Sequence, residues 1–225
     1  MSGMILVVRP EPGLGATLRA AEDMGLNAVG YPLFEIRAVR WECPDPAQVD
    51  ALLIGSANVF RHAGEALAKL TGKPVYAVGA TTAKAARAAG FEVADVGTGG
   101  LQNVLSDVPC GTRLLRLAGA EHVPLHAPEG VSVLTAVTYE AVALELPEPM
   151  RALQDLGLIV LLHSAAAARQ FDAEARRLAL HRARINLVVI GPRVADAAGT
   201  GWANIHVSPA PNDRAMLELA QAMCI

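Results

Sequence analysis

A tyrosine in a strand-like run, Thr138-Tyr139-Glu140-Ala141-Val142, two serines that end aliphatic runs and an arginine that ends a third are the residues best placed to do chemistry. Ser56 closes Leu52-Leu53-Ile54-Gly55-Ser56, and Ser164 closes Val160-Leu161-Leu162-His163-Ser164. Gly79 and Gly191 end two further runs, and Thr82 follows the first of them. Small hydroxyls and backbone N–H groups gathered where strands give way to helices suit carboxylates or phosphates. Ser56, Thr82 and Ser164 also read as helix caps, a role that leaves ligand contact open. Arg9, after Leu6-Val7-Val8, is either a surface residue or a partner for an anion at a strand's carboxyl edge. Tyr139 is either a packed strand aromatic or a donor, since a phenol keeps its proton at neutral pH.

Other chemistries are poorly served. Gly13-Leu14-Gly15 follows the first strand but lacks a third glycine, and Pro10 and Pro12 stand ahead of it, so nucleotide binding is not expected. Gly97-Thr98-Gly99-Gly100 reads as a flexible turn, with no lysine at phosphate-loop spacing. His122 and His126 stand four apart with Pro124 between them and no glutamate next to His122, a pattern expected of a solvated loop or helix edge rather than a metal site. His163 and Ser164 are strand neighbours whose side chains should diverge, which argues against a nucleophile pair.

The elements that must position these residues alternate. Aliphatic strands are expected at Ile5–Val8, Ala51–Ile54, Val75–Val78, Leu114–Leu117, Val131–Val137, Leu158–Leu162, Leu187–Ile190 and Ile205–Val207. Most are continuously apolar, as in strands covered on both faces. Helices are expected over Thr82–Ala89, after Ser164 through Phe171 and Leu178, and through Met216, Leu219, Ala220 and Met223 with Asn212 or Asp213 as cap. This alternation is an α/β class with parallel sheets. The two halves match in order: Ser56 with Ser164, Gly79 with Gly191, and Gly25-Leu26-Asn27 with Gly130-Val131-Ser132, which lays Phe34 on Tyr139. A drifted duplication of one α/β unit accounts for this and predicts a bilobal molecule with a ligand cleft.

Composition limits the partners. The chain has 225 residues and a net charge of −3, from 19 basic and 22 acidic residues, a balance unsuited to nucleic acid. It is 52% hydrophobic, yet its longest apolar stretch, 156–168, is interrupted by His163 and too short for a bilayer span. Cys43, Cys110 and Cys224 are odd in number and far apart, so neither a disulfide framework nor a zinc knuckle is indicated. No basic leader precedes the first apolar run, so a cytoplasmic protein without a signal peptide is expected. Nothing in the sequence calls for assembly, and a monomer is expected. The residues by themselves support a bilobal α/β protein that binds a small anion, catalytic or not.

Taken together, Leu6-Val7-Val8-Arg9-Pro10-Glu11-Pro12-Gly13, Tyr31-Pro32-Leu33-Phe34-Glu35-Ile36, Leu52-Leu53-Ile54-Gly55-Ser56-Ala57-Asn58, the segment from Val75 through Gly79 to Ala83, Thr138-Tyr139-Glu140-Ala141-Val142 and Ile190-Gly191-Pro192-Arg193-Val194-Ala195 resemble the uroporphyrinogen-III synthase family. The resemblance implies two flavodoxin-like parallel-sheet domains joined by a two-stranded linker, with a ligand cleft between them. One domain would comprise residues 1–35 and 146–225, the other 47–136, with linker strands in 36–46 and 137–145. The implied reaction closes hydroxymethylbilane to uroporphyrinogen III with loss of water and inversion of the terminal pyrrole, without metal or organic cofactor. A transient encounter with hydroxymethylbilane synthase would supply the substrate. By resemblance Tyr139 assists departure of the hydroxyl, while Arg9, Ser56, Thr82, Ser164, Gly191 and Arg193 bind substrate. The family often carries threonines after the Gly-Pro turn, where this chain has Arg193 and Val194. The alternative is a non-catalytic bilobal receptor for a small anionic ligand.

Overall fold

A computed structural model describes residues 3–223, so Cys224 lies outside the described residues. The strands are β1 (Ile5–Val7), β2 (Ala28–Gly30), β3 (Phe34–Ala38), β4 (Ala51–Ile54), β5 (Val75–Val78), β6 (Val93–Gly97), β7 (Arg113–Gly119), β8 (Ser132–Ala143), β9 (Ile159–Leu162), β10 (Asn186–Val189) and β11 (Asn204–Val207). The helices are α1 (Gly13–Asp23), α2 (Asn58–His62), α3 (Ala80–Ala88), α4 (Leu101–Ser106), α5 (Ala165–Arg177), α6 (Pro192–Ala198) and α7 (Asp213–Ala222), with short 3-10 turns between some of them. None of the described helices is long and apolar enough to cross a membrane.

The chain divides into two compact units, one made of the residues up to Glu35 and from Val142 onward, the other of Ile36–Ala141. It passes from one to the other within β3 and returns within β8. Val39 N–H donates to the Thr138 carbonyl and Leu144 N–H to the Leu33 carbonyl, so β3 and β8 run in opposite directions as neighbours.

The discontinuous unit holds a five-stranded sheet in the order β11-β10-β9-β1-β2, with every adjacent pair parallel. Its three central strands are buried almost throughout, which is why their sequences are unbroken aliphatic runs rather than alternating ones. One face packs Leu6, Val160, Leu162 and Leu187 under Phe171, Ala175 and Trp202. The other packs Ile5, Val7, Ile159 and Leu161 against Leu14 and Ala21 of α1 and Met216, Leu217 and Ala220 of α7.

The contiguous unit has the strand order β3-β8-β7-β4-β5-β6, and β8 through β6 are parallel. Leu52, Ile54, Val75, Ala77, Leu115 and Leu117 form one core face. Ala51, Leu53 and Leu114 form the other, beneath Val104 and Leu105 of α4. β6, which no aliphatic run marks, is an edge strand with alternating half-buried and exposed residues.

Read as β6-β5-β4-β7-β8 and β11-β10-β9-β1-β2, the two parallel sheets have one and the same strand plan. The runs that match in sequence occupy the same places: β4 with β9, β5 with β10, β8 with β2. The discontinuous unit is a circular permutation, its fourth and fifth strands coming first in the chain.

Candidate functional site

In open parallel sheets, ligands bind beyond the carboxyl ends of the strands where successive connections leave in opposite directions. In the contiguous unit that point lies between β4 and β7. A cavity of about 460 Å³ opens there, lined by Gly55 and Ser56 after β4, Leu117–Gly119 of β7 and Tyr139 of β8. Gly99, Gly100 and Leu101 bound it from the turn into α4, and the loop after β7 supplies Glu121 to Leu125.

The cavity thus brings together two of the residues singled out from sequence, Ser56 and Tyr139. The Ser56 hydroxyl oxygen accepts from Asn58 N–H at 3.2 Å, leaving its own hydrogen to give. Tyr139 stands where the β7–β8 register shifts at Gly119, and its ring packs closely against that glycine. A Cβ at residue 119 would stand 2.7 Å from Tyr139 Cε2, so only glycine admits the ring in this position. The phenol has no hydrogen-bond partner among the described residues, so its proton is not committed. The His62 ring lies 6.4 Å from that of Tyr139, and burial pushes its pKa down, favouring the neutral imidazole.

Two features of the cavity escape the sequence reading. Gly99 and Gly100, expected to be only a flexible turn, line it with φ of 77° and 120°, conformations that favour glycine. His122, which lines the cavity, and His126, which does not, lie in an irregular loop, one of the two settings expected for them: His122 Nδ1 donates to the Gly119 carbonyl at 2.9 Å, and His126 N–H to Gln102. Among the described residues no group of histidine, cysteine and carboxylate side chains is arranged to hold a metal ion. The other is Arg116, only 5% exposed, in the core of β7 between Leu115 and Leu117. Its Nη1 donates to the Val123 carbonyl at 2.8 Å, and its buried Nε has no partner. Burial pushes its pKa down, opposed by the nearby Tyr139 phenol. An arginine flanked by leucines in a central strand is the sequence signal that could have found it.

Thr82 lies on the buried face of α3 with Ala83 and Ala86, whereas Thr81 beside it is exposed. Of this pair it is Thr81 that meets solvent.

The equivalent point of the discontinuous unit, between β9 and β1, is filled differently. Arg9 Nη1 lies 2.8 and 2.9 Å from the two oxygens of Asp213, at the start of α7. The same carboxylate meets His163 Nε2 at 2.8 Å and accepts from the Thr17 hydroxyl at 3.0 Å. The His163 hydrogen bond, with Arg9 beside it, holds the Asp213 carboxyl below the usual carboxylate range. The anion that Arg9 meets here belongs to the protein itself. Gly13, the first glycine of the Gly-Leu-Gly run, makes room for it: a Cβ there would be 2.3 Å from Arg9 Nε. His163 and Ser164 do diverge, His163 to Asp213 and Ser164 to cap α5 by accepting from Ala167 N–H at 3.1 Å. Gly191 and Arg193 line a separate depression of about 300 Å³ with Ala165 and Pro211. Val194 borders it too, but is buried and packs into the core.

The sequence matches the family described as Uroporphyrinogen-III synthase HemD over residues 16–218. Curated protein sequences show no match to the chain. Among solved structures, a uroporphyrinogen-III synthetase from Helicobacter pylori is similar at 19% identity, covering 99% of this chain and 100% of its own, with a TM-score of 0.66. A mutant uroporphyrinogen III synthase from Thermus thermophilus is similar at 18% identity, 99% of each chain and a TM-score of 0.53. At these identities the two structures speak for the fold of paired parallel-sheet domains, and the sequence match speaks for more. By that match the chain belongs to the uroporphyrinogen-III synthase family, lyases of tetrapyrrole biosynthesis.

Proposed function

We propose that the chain closes hydroxymethylbilane to uroporphyrinogen III, and that the cavity beside Tyr139 and Ser56 receives the reacting end of the substrate. The observation that carries the site assignment is the uncommitted Tyr139 phenol lining the same cavity as the Ser56 hydroxyl. The reaction expels the terminal hydroxyl as water, leaving an azafulvene. The substituted carbon of the last ring attacks it, and the resulting spiro centre fragments and recloses with that ring inverted. No net oxidation occurs, so no redox cofactor is called for. Tyr139 would hydrogen-bond or protonate the departing hydroxyl, and Ser56 would donate to a nearby carboxylate arm. Because unassisted closure gives the uninverted type I isomer, holding one folded geometry matters more than acid strength.

Ser164, Gly191 and Arg193 belong to this reading as contacts for other carboxylate arms, with Arg193 supplying charge where a threonine hydroxyl is often found; Arg9, whose Nη1 is taken up by Asp213, joins them only through its other N–H groups. Thr82 keeps a place through the start of α3, which also presents Thr81. The lability of hydroxymethylbilane favours direct transfer from the synthase that makes it, to a monomeric, cytoplasmic acceptor.

The test is isomer analysis after enzymatic generation of hydroxymethylbilane, with oxidation and chromatographic separation of type I and III porphyrins. Predominantly type III product is expected. Type I alone from folded protein would leave a binding protein without turnover.

A further inference from the structure

Arg116 is anomalous in its surroundings. β7 pairs with β4 on one side and β8 on the other, and its residues from Leu114 to Gly119 are all buried. By the shared strand plan, the place of Arg116 falls on Val7 in the other unit, a fully buried aliphatic. A guanidinium there has given up most of its water, and a buried charge is tolerated when paired and hydrogen-bonded. Arg116 has one backbone carbonyl as partner, and no carboxylate pairs with it among the described residues. Its buried Nε donor is unmet, and the side chain lines the 460 Å³ cavity. The other unit meets the same need internally, where Arg9 is neutralised by Asp213.

We infer that Arg116 is the anion anchor of this cavity, and that its missing counter-ion is a carboxylate arm of the tetrapyrrole. The inference rests on the proposed function for the identity of the ligand. Arg116 is then a binding residue that sets the substrate beside Tyr139, with the Val123 carbonyl holding the guanidinium in place. A carboxylate arriving there gains a charge-assisted bond whose cationic half is already largely desolvated, and two parallel N–H donors favour its planar shape.

The experiment measures binding of uroporphyrin III, a stable porphyrin bearing the same carboxylate arms, by fluorescence titration at several salt concentrations. Arg116→Met, which keeps the side-chain length, is expected to weaken binding about 10- to 100-fold and to flatten its salt dependence. Arg116→Lys is expected to fall between the two. The melting temperature of Arg116→Met should equal or exceed that of wild type, because an unpaired buried charge has been removed. Equal affinity and equal salt dependence in wild type and Arg116→Met, both melting cooperatively, would overturn the assignment. So would a loss restored in full by no charge at all, as in Arg116→Gln matching wild type. Isomer analysis of the same proteins separates the two readings. Wild type that binds uroporphyrin III through Arg116 yet yields only type I sinks the synthase function, while type III product with unchanged KM in Arg116→Met sinks the anchor alone.

Discussion

Replacing Gly119 by alanine would test whether the position of Tyr139, rather than its mere presence, matters. The added Cβ would lie 2.7 Å from Cε2, 2.8 Å from Cζ and 3.1 Å from the hydroxyl oxygen of Tyr139. Ordinary carbon contacts fall at about 3.5–4.0 Å, so the ring must move by about 1 Å. Overpacking of this kind costs about 1–3 kcal/mol of stability. A misplacement of that size at a reacting centre costs up to about 100-fold in rate. The assay is kcat/KM for type III formation, run alongside thermal melting and in a cycle with Tyr139→Phe. If both changes act through the phenol, the double variant should be little slower than Tyr139→Phe alone. A folded Gly119→Ala protein with wild-type kcat/KM would refute the claim that the cavity depends on the Tyr139–Gly119 contact.

Ser164→Ala should cost about 1 kcal/mol of stability through loss of the cap on Ala167 N–H, read as a lower melting temperature. If substrate also contacts Ser164, KM rises as well. Asp213→Asn should change how stability depends on acid. The depressed pKa of Asp213, facing His163, Arg9 and Thr17, contributes stability above the ordinary carboxylate range that is lost as pH falls through the folded value. The wild type should therefore lose more stability than Asp213→Asn below about pH 4 in denaturant titrations. Parallel acid limbs would show that the carboxylate is not held by this network.

Much of this molecule is legible without coordinates because its central strands are buried on both faces. Ala51–Ile54 is aliphatic throughout, Val75–Val78 is apolar but for the phenol of Tyr76, and the two coincide with β4 and β5. The capping sites Ser164 and Asn212 also announce α5 and α7, since a hydroxyl or amide before an amphipathic run has one favoured local use. β2 and β6 leave little trace, being short, half-buried edges. Sites are harder, because a residue's role depends on which face it takes. Two adjacent threonines, Thr81 and Thr82, differ by a single helical step, and that step puts one in solvent and the other in the core. Arg9 announces a charge but not the distant Asp213 that neutralises it. Arg116 hides inside an aliphatic run, where one arginine reads as an interruption until the strand proves central and the cavity lies above it. The shared strand plan needs strand order, which no periodicity carries.

The permuted connectivity has a consequence for the order in which the protein comes off the ribosome. Synthesis proceeds from the amino terminus, and segments can assemble only with what has already emerged. β1 finds β2 early, but its other neighbour is β9, so Ile5 must wait for Ile159. Every parallel pairing of the contiguous unit, by contrast, is satisfied before the first residue of β9 is made. The central unit is thus the natural first product of translation, while an apolar two-strand fragment, Ile5–Gly30, stands by with half its partners unmade. A nascent chain stalled just short of β9 should protect the amides of β4, β5 and β7 from hydrogen exchange while those of β1 still exchange.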